Sequence, residues 1–151
     1  MTTKISGAIA QVLTRKGNDA WSVKPEETVY EAIETMATKG VGALLVLSEG
    51  RLVGIVSERD YARKVILRGK SSRTTEVREI MASPAIFVAP TESVSECMAI
   101  MTRNRIRHLP VIEKDRILGV VSIGDIVKWI VSEQEQIIEQ LHNYISAGYP
   151  S

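Results

Sequence analysis

Hydrophobic and polar residues follow one another along this chain in an order that occurs twice. In the first occurrence, a short apolar stretch ends at Pro25, and apolar residues then recur at helical spacing from Val29 to Met36. Two aliphatic runs follow, separated by the turn Ser48-Glu49-Gly50-Arg51, as in a β-hairpin. A second helix is predicted to begin near Ser57. The pattern therefore predicts a β-α-β-β-α unit.

The second occurrence matches the first residue by residue. A shift of 65 positions places residues 20–61 on residues 85–126 without a gap, and fourteen of the 42 pairs are identical. The identical pairs include Val23/Val88, Pro25/Pro90, Glu27/Glu92, Met36/Met101, Leu44/Leu109, Gly54/Gly119, Ser57/Ser122 and Asp60/Asp125. The chain therefore contains two copies of one unit, and a duplication of this kind decides the architecture.

The predicted elements of the two copies correspond. Each first strand (Ala20–Val23, Ala85–Val88) leads towards a proline, and each first helix begins with an S/T-x-x-E capping box. The boxes are Thr28-Val29-Tyr30-Glu31 and Ser93-Val94-Ser95-Glu96. In the second copy, Glu113-Lys114-Asp115-Arg116 is the predicted hairpin turn.

Domain boundaries follow from the repeat. A unit of about 55 residues buries little apolar surface alone, so the two copies are expected to pack together around a pseudo-twofold axis. The predicted fold class is therefore α/β, a pair of repeats with an extended C-terminal helix. We place the first copy at residues 8–68, a polar linker at 69–76, the second copy at 77–132 and the C-terminal helix and tail at 133–151.

A short lead-in segment is predicted before each copy. Val77-Arg78-Glu79-Ile80-Met81 leads into the second copy. Val12-Leu13-Thr14 is assigned the same part in the first copy, with about three extra residues before its strand.

Composition and charge exclude several classes of protein. A composition of 44% apolar and 25% charged residues is typical of a globular protein, and the net charge of +1 gives no strong electrostatic preference for nucleic acid or acidic membranes. No run approaches the 18 or so apolar residues of a membrane span, and Met1 to Val12 lacks the pattern of a secretory signal. The single cysteine, Cys97, excludes an internal disulfide or a thiolate-rich zinc site and fits a reducing, cytoplasmic compartment.

The ordered set of motifs resembles the cystathionine-β-synthase (CBS) domain family. The matching segments are the helix Val29–Met36, the block Arg107-His108-Leu109-Pro110-Val111, and Gly119–Asp125 with its first-copy partner Gly54–Asp60. The resemblance extends from about Val12 to Val131. The chain is particularly similar to small proteins that consist only of a CBS pair. It implies an α/β module, usually dimeric, whose clefts bind AMP, ADP, ATP, S-adenosylmethionine or NAD.

The resemblance assigns ligand contacts to two Ser-x-x-Asp motifs, Ser57/Asp60 and Ser122/Asp125. In the family, the aspartate accepts hydrogen bonds from the ribose hydroxyls, and the hydroxyl residue helps to hold ribose or phosphate at the helix start. A carboxylate suits a vicinal diol, and the free N–H groups of a helix start suit an anion. The same pattern is also an ordinary helix cap worth about 1 kcal/mol, so both interpretations stay open at this point.

Arg107, His108 and Pro110 lie where the second hairpin begins. In related nucleotide-binding pairs this position supplies phosphate contacts, and an arginine fork suits a phosphate. The alternative is a solvated strand end. The first copy has Gly42 and Ala43 in place of Arg107 and His108. The two clefts are therefore expected to differ: either one binds phosphate poorly, or both share Arg107 and His108.

The same resemblance implies that strand backbone recognises the adenine edge, with Trp21, Val23, Ile86 and Val88 as the contact residues. Their apolar side chains fit a protein core equally well. A basic run could reach a second phosphate or a dinucleotide, although such a run is also typical of a solvated helix face and linker. It consists of Arg59, Arg63, Lys64, Arg68, Lys70 and Arg73.

Catalytic interpretations find little support. Gly119-x-x-x-x-Gly124 is followed by Asp125 instead of lysine, and His108 and His142 lack nucleophile or metal-ligand spacing. We therefore predict no enzyme, catalytic cofactor or metal site. The predicted function is a regulatory or signal-transduction module that senses AMP, ADP, ATP or NAD for an unidentified regulated protein. The alternative is a protein-interaction or structural homodimer with no physiological nucleotide.

One apolar pattern extends beyond the repeats. A helix is predicted to continue after Asp125 and to bend or leave the core at the polar stretch Ser132–Gln136. A stripe of apolar residues beyond it exceeds what the repeat needs and predicts an interface, most simply a homodimer. Folding of the stripe back onto its own repeat is the alternative. The stripe is Ile137, Ile138, Leu141, Tyr144 and Ile145.

Overall fold

A computed structural model describes residues 7–146 of the chain. The predictions that concern residues 1–6 and 147–151, at the N-terminus and at the end of the C-terminal tail, lie outside that range. The helices and strands are α1 (Ile9–Lys16), β1 (Ser22–Val23), α2 (Val29–Lys39), β2 (Ala43–Ser48), β3 (Arg51–Ser57), α3 (Glu58–Lys64), α4 (Val94–Asn104), β4 (His108–Glu113), β5 (Arg116–Ser122) and α5 (Ile123–Ser146), with 3-10 turns at Ile66–Arg68 and Val77–Glu79.

The described residues form two compact units. One unit is the continuous segment Asp19–Phe87, and the other combines the residues up to Asn18 with those from Val88 onward. Each unit has its own apolar core, formed in the first by residues such as Val29, Leu44 and Val56 and in the second by their repeat equivalents. The predicted α/β class is confirmed.

Helices α2 and α4 begin as their capping sequences predict. The Glu31 N–H donates to Thr28 Oγ1 at 3.1 Å and the Thr28 N–H donates to Glu31 Oε1 at 3.3 Å, so both halves of this box form. In the second repeat the Glu96 N–H donates to Ser93 Oγ at 3.0 Å, but the Ser93 N–H donates to Glu92 Oε1 instead. Each cap satisfies N–H groups that the first helical turn leaves without intrahelical partners.

Both predicted hairpins are present and have the same detailed geometry. Strands β2 and β3 pair antiparallel, as do β4 and β5, and each ladder has a register shift at the equivalent place. The two turn residues have positive φ in both hairpins, 51° and 79° at Glu49 and Gly50 and 48° and 64° at Lys114 and Asp115. This combination is the type I′ geometry that matches the twist of paired strands.

Of the two predicted first strands, the one at Ala20–Val23 forms but is shorter than predicted. The prediction of a strand at Ala85–Val88 is wrong. β1 pairs parallel with β2 over Ser22–Val23 only, and Ala85–Val88 contributes a single bridge between Val88 and Val111. In the first repeat the Leu45 N–H donates to the Trp21 carbonyl at 3.0 Å. The repeat equivalent of Leu45 is Pro110, which has no N–H, so the corresponding bond cannot form.

The lead-in before the first copy is a helix, α1, and it packs on the second repeat. The Ile9 N–H donates to the Glu92 carbonyl at 2.7 Å, and the Val94 N–H donates to the Gly7 carbonyl at 2.9 Å. The predicted lead-in Val12-Leu13-Thr14 lies within this helix, and the buried Val12 and Leu13 belong to the apolar core of the second repeat.

The lead-in before the second copy makes the equivalent contacts in the other unit. The Val77 N–H donates to the Glu27 carbonyl at 2.8 Å, and the Val29 N–H donates to the Thr75 carbonyl at 2.8 Å. Each repeat thus completes its core with the segment that precedes the other repeat in the chain. The boundaries of the compact units consequently differ from the repeat boundaries assigned from sequence similarity.

Two equivalent glycines permit this close packing. A Cβ atom on Gly54 would lie 2.8 Å from the Ala82 carbonyl oxygen, and one on Gly119 would lie 2.7 Å from Leu13 Cδ1. Any side chain at either position would push the lead-in segment away from its strand.

The segment predicted as a polar linker, 69–76, is packed against α2. The Tyr30 N–H donates to the Ser72 carbonyl at 2.9 Å, and the Arg73 guanidinium lies 4.1 Å from the centre of the Tyr30 ring. Thr75 is 4% exposed and donates from its hydroxyl to the Ser71 carbonyl at 2.7 Å. This segment is therefore an ordered part of its unit.

Candidate functional site

The junction of β5 and α5 brings three polar side chains together. The Ser122 N–H donates to Asp125 Oδ2 at 2.8 Å, and the Asp125 N–H donates to Ser122 Oγ at 3.1 Å. Lys16 of α1 places its Nζ 2.8 Å from the same Oδ2 atom and also donates to the Val120 carbonyl. Both contacts of the carboxylate use Oδ2, and between residues 7 and 146 no hydrogen bond or ion pair to Oδ1 is found.

Lys16 makes the Asp125 carboxylate a stable anion. Burial opposes ionisation of the Asp125 side chain, but hydrogen bonds from Lys16 and Ser122, with the Lys16 charge, outweigh it and lower the pKa of Asp125 below its ordinary value. Sequence analysis missed Lys16, because this contact depends on α1 packing on the second repeat.

The first repeat satisfies its equivalent aspartate differently. Asp60 Oδ2 accepts from the Ser57 N–H and from Ser57 Oγ, both at 2.9 Å, and Oδ1 lies 3.2 Å from Lys64 Nζ on the same helix. The repeat equivalent of Lys64 is Trp129, a core residue that is 6% exposed. Both oxygens of Asp60 are therefore engaged, whereas Asp125 retains one.

The block Arg107-His108 lies at the same end of its sheet as Ser122. His108 is paired with Ser122 across the β4–β5 ladder, and the Ile123 N–H donates to the Arg107 carbonyl at 2.9 Å. The Arg107 side chain is exposed. In the first repeat the Glu58 N–H donates to the Gly42 carbonyl at 3.0 Å. The two repeats therefore share this backbone arrangement and differ in its side chains.

His108 is held in a partly buried, cationic environment. Burial, followed by the charge of Lys16, lowers the pKa of the His108 imidazole below its ordinary value of 6.5, while the Asp125 carboxylate opposes the shift and Arg107 adds to it. The neutral imidazole that results at neutral pH can donate one hydrogen bond and accept another.

The short apolar segments of the two repeats have matching exposure. Trp21 and Ile86 are 37% and 38% exposed, whereas Val23 and Val88 are 4% and 5% exposed. The ammonium group of Lys39 lies 4.2 Å from the centre of the Trp21 ring. The side chains of Val23 and Val88 are thus core residues, and those of Trp21 and Ile86 remain accessible to a ligand.

The backbone of the two segments is used unequally. The Val88 N–H donates to the Pro110 carbonyl at 3.0 Å, and the Val88 carbonyl accepts from the Ile112 N–H at 2.9 Å, so Val88 has no free main-chain group. The Trp21 carbonyl accepts from Leu45. Within residues 7–146, the backbone N–H that would correspond to that of Leu45 is missing for the Ile86 carbonyl, because its position is occupied by Pro110.

An open cleft of about 480 Å³ lies beside Asp125, between α1 and α5. Sequence analysis did not predict it, since residues of α1 form one of its walls. Three cationic side chains line the cleft, although Arg15 already pairs with Glu133 at 3.1 Å. Its lining residues are Val12, Arg15, Lys16, Asp125, Lys128, Trp129 and Ser132.

Two members of the predicted basic run already have partners within their own unit. Lys64 is engaged with Asp60 and with the Ile80 carbonyl at 2.9 Å, and Arg73 stacks on Tyr30. Arg59 lies half-buried on the first turn of α3, between the two residues of the Ser57/Asp60 motif. Arg59 and Lys64 are thus the members of this run that lie beside the Ser57/Asp60 motif.

Cys97 is a core residue of α4. It is fully buried, and burial, together with the charges of Glu92 and Glu96, raises the pKa of its thiol to about 12. A thiol in this state is unreactive. Between residues 7 and 146 no cluster of three or more His, Cys, Asp or Glu side chains could hold a metal ion. No helix in the same range is both long and apolar enough for a bilayer.

Comparison with known proteins identifies the same repeats. Residues 9–67 and 77–132 both match the CBS domain. The chain is 42% identical over 154 aligned residues to the CBS domain-containing protein CBSX3, mitochondrial, of Arabidopsis thaliana, covering 95% of this chain and 74% of that protein.

Solved structures have the same fold. A protein with CBS domains from Burkholderia ambifaria, described as a candidate for signal transduction, has a TM-score of 0.81 and 46% identity, with 85% of this chain and 96% of that chain covered. The CBS domain pair of protein MJ0100, in complex with 5′-methylthioadenosine and S-adenosyl-L-methionine, has a TM-score of 0.75 and 22% identity, with 85% and 99% covered.

Proposed function

Since this chain belongs to the CBS domain family, we propose that it is a regulatory module that binds an adenosine nucleotide. The observation that carries the proposal is the Ser122/Asp125 motif with its Lys16 contact. It offers an ionised carboxylate with one uncommitted oxygen at the start of a long helix. A vicinal diol donates two hydrogen bonds. Asp125 Oδ1 can accept one of them, and Oδ2 can accept the other if it exchanges one of its present contacts for the ligand.

The proposed acceptor for the base is the Ile86 carbonyl. Because Pro110 cannot donate to it, this carbonyl is available for the 6-amino group of adenine. Guanine carries a carbonyl oxygen at the same position, which is an acceptor and would face the Ile86 oxygen without a proton between them. We therefore propose that the module selects adenine over guanine.

The proposed phosphate contacts come from Arg107 and His108, with Lys16 and Lys128 as further cations near the ribose. An exposed arginine can bind a phosphate through two parallel hydrogen bonds. This set favours AMP, ADP, ATP or NAD over a neutral nucleoside. The adenosine ligands in the MJ0100 domain pair support the proposed ligand class. The proposed preference for a phosphate rests instead on the cationic residues of this chain.

We propose a non-catalytic role in which the nucleotide changes how the module meets a regulated protein. The proposal includes self-association through the exposed part of α5, and a reducing compartment such as the cytoplasm because the only thiol is buried in the core. Ligands that bind only the folded state raise the melting temperature by mass action.

The alternative is an interaction dimer without a physiological nucleotide. It is favoured by the exposed apolar stripe of α5 and by the fact that both Ser-x-x-Asp motifs already act as helix caps. Thermal melts with AMP, ATP, NAD and GMP, together with mass spectrometry of co-purified small molecules, distinguish the two. A rise with the adenosine compounds supports the proposal, and no rise with any of them at millimolar concentration supports the alternative.

A further inference from the structure

We infer that the exposed face of α5 is a self-association surface on which α5 of a second copy lies antiparallel. The inference rests on the proposed self-association and is independent of nucleotide binding. The face, here called the seam, has residues spaced by four, three, four, three and four positions. It consists of Val127, Val131, Gln134, Ile138, Leu141 and Ile145.

The seam is apolar and uncovered within the single chain. Its five aliphatic residues are between 47% and 71% exposed, and all residues from Gln134 to Ser146 are exposed. The helix does not fold back onto its own repeat, so that alternative is excluded for the described residues. An alternation of four and three along a helix is the spacing with which two helices pack side by side.

Core packing does not explain the seam. Ile126 and Trp129, on the other side of the first turns of α5, are buried in the core. Val127 and Val131 lie within the same turns but are 50% and 47% exposed. The seam thus begins where the helix is still anchored and continues along the part that extends beyond the core.

The spacing of the seam fits a second copy of the same helix. The order four, three, four, three, four is unchanged when the helix is reversed, so an antiparallel partner centred near Gln136 matches every seam position. Val127 then faces Ile145 of the second copy, Val131 faces Leu141, and Gln134 faces Ile138. The contact covers about 27 Å of helix, which places it at the small end of specific interfaces, with association expected in the micromolar range.

The charges beside the seam argue against a lipid surface. After Lys128, the acidic side chains of the described helix are Glu133, Glu135 and Glu139, and the basic one is His142. Helices that lie on membranes carry lysine and arginine on their polar face, which attract anionic lipids. A polar face with three glutamates and no lysine or arginine would be repelled by such lipids.

The antiparallel arrangement brings two flanking residues close to the twofold axis. Ile137 approaches Ile137 of the second copy, which adds apolar contact, and Glu135 approaches Glu135 of the second copy, which opposes association by like-charge repulsion. Glu135→Gln is therefore expected to tighten the dimer, and added salt is expected to do the same in the unaltered protein.

The first experiment measures association of the full chain by sedimentation velocity. Leu141→Glu places a carboxylate in the seam, and Asn143→Glu places the same charge on the opposite face of the same turn. We expect Leu141→Glu to weaken the dimer by at least about 30-fold, the size of a hot-spot substitution, and Asn143→Glu to leave it within about threefold. A monomeric wild-type protein at tens of micromolar overturns both the seam and self-association.

The second experiment tests orientation by cross-linking with a short thiol reagent. Ile137→Cys should form covalent dimers, whereas Tyr144→Cys should not, because the two introduced thiols would be about 24 Å apart along the helices. The native Cys97 is buried and unreactive, so it can remain.

Equal cross-linking at both positions overturns the antiparallel register. If the Leu141→Glu protein is still dimeric, the seam is not the association surface. Self-association would then occur through another surface. The AMP-dependent melting shift, measured on the same samples, should persist in Leu141→Glu, so loss of the seam and loss of nucleotide binding are recorded separately.

Discussion

At the scale of single residues, the difference between Asp125 and Asp60 is the most informative feature of the candidate site. Both carboxylates cap a helix, but Asp60 uses both oxygens within its own helix start while Asp125 takes its cation from α1 and keeps Oδ1 uncommitted. A ligand at Asp125 therefore has to displace fewer existing bonds than a ligand at Asp60.

We expect Asp125→Asn to weaken AMP binding by about 1–3 kcal/mol, the loss expected when a charged hydrogen-bond partner is removed. Asparagine can still accept from the Ser122 N–H, so the free energy of unfolding should fall by no more than about 1 kcal/mol. Calorimetric titration and chemical denaturation measure the two quantities, with Asp60→Asn as the matched control. A large loss of stability with unchanged affinity would assign Asp125 to capping alone.

Arg107 is predicted to recognise phosphate specifically. Because its side chain is exposed, Arg107→Ala should leave folding intact and reduce affinity for AMP far more than affinity for adenosine. Titration with both ligands provides the comparison. Equal losses for the two ligands would show that Arg107 acts on the structure of the site and not on the phosphate.

His108 is predicted to make stability depend on pH. Burial and Lys16 lower its pKa in the folded state, so the unfolded chain binds more protons as the pH falls below about 6.5. This contribution to stability is present above the unfolded pKa and is lost as the pH falls from there through the lower folded pKa. His108→Asn should therefore flatten the decrease in unfolding free energy between pH 7 and pH 5, and an unchanged slope would contradict the shift.

At the scale of elements, the position of Pro110 explains why the two repeats differ in their first strand. Periodicity and β-propensity predicted Ala20–Val23 and Ala85–Val88 alike, because those signals describe each segment separately. The strand that forms depends on the partner's N–H group, which Leu45 has and Pro110 lacks. The proline was visible in the sequence, but its effect required knowledge of the parallel pairing.

The variant Pro110→Leu tests the role of this proline in base recognition. Leucine is the residue at the equivalent position of the first repeat, so the fold is expected to tolerate it, and its N–H could then occupy the Ile86 carbonyl. We expect affinity for AMP to fall by roughly 5- to 10-fold, the worth of about one hydrogen bond, with an unchanged or higher melting temperature. Unchanged affinity would remove the Ile86 carbonyl from the site.

At the scale of the whole molecule, the boundaries of the sequence repeats do not coincide with those of the compact units. Helix and hairpin positions were predictable because capping boxes and turn residues act within a few positions of the chain. The exchange of lead-ins was not predictable, because Gly7, Ile9 and Leu13 carry no local sign of which repeat they pack on. Lys16, and with it half of the polar contacts of Asp125, was missed for the same reason.

The exchange also bears on how signals could pass through the molecule. Lys16 belongs to the segment before the first repeat but contacts Asp125 of the second. A ligand that binds the Asp125 carboxylate would compete with Lys16 for it. Loss of the Lys16 contact would weaken the attachment of the C-terminal end of α1 to the second repeat.

The central claim is that the module binds an adenosine nucleotide and distinguishes it from guanosine. Calorimetric titration of the full chain with AMP and with GMP under identical conditions tests it most directly. We expect saturable binding of AMP and binding of GMP that is at least about tenfold weaker, since the bound guanine would leave the Ile86 carbonyl facing another acceptor, which costs about 1–3 kcal/mol. Equal affinities, or no heat of binding with AMP at millimolar concentration, would contradict the claim.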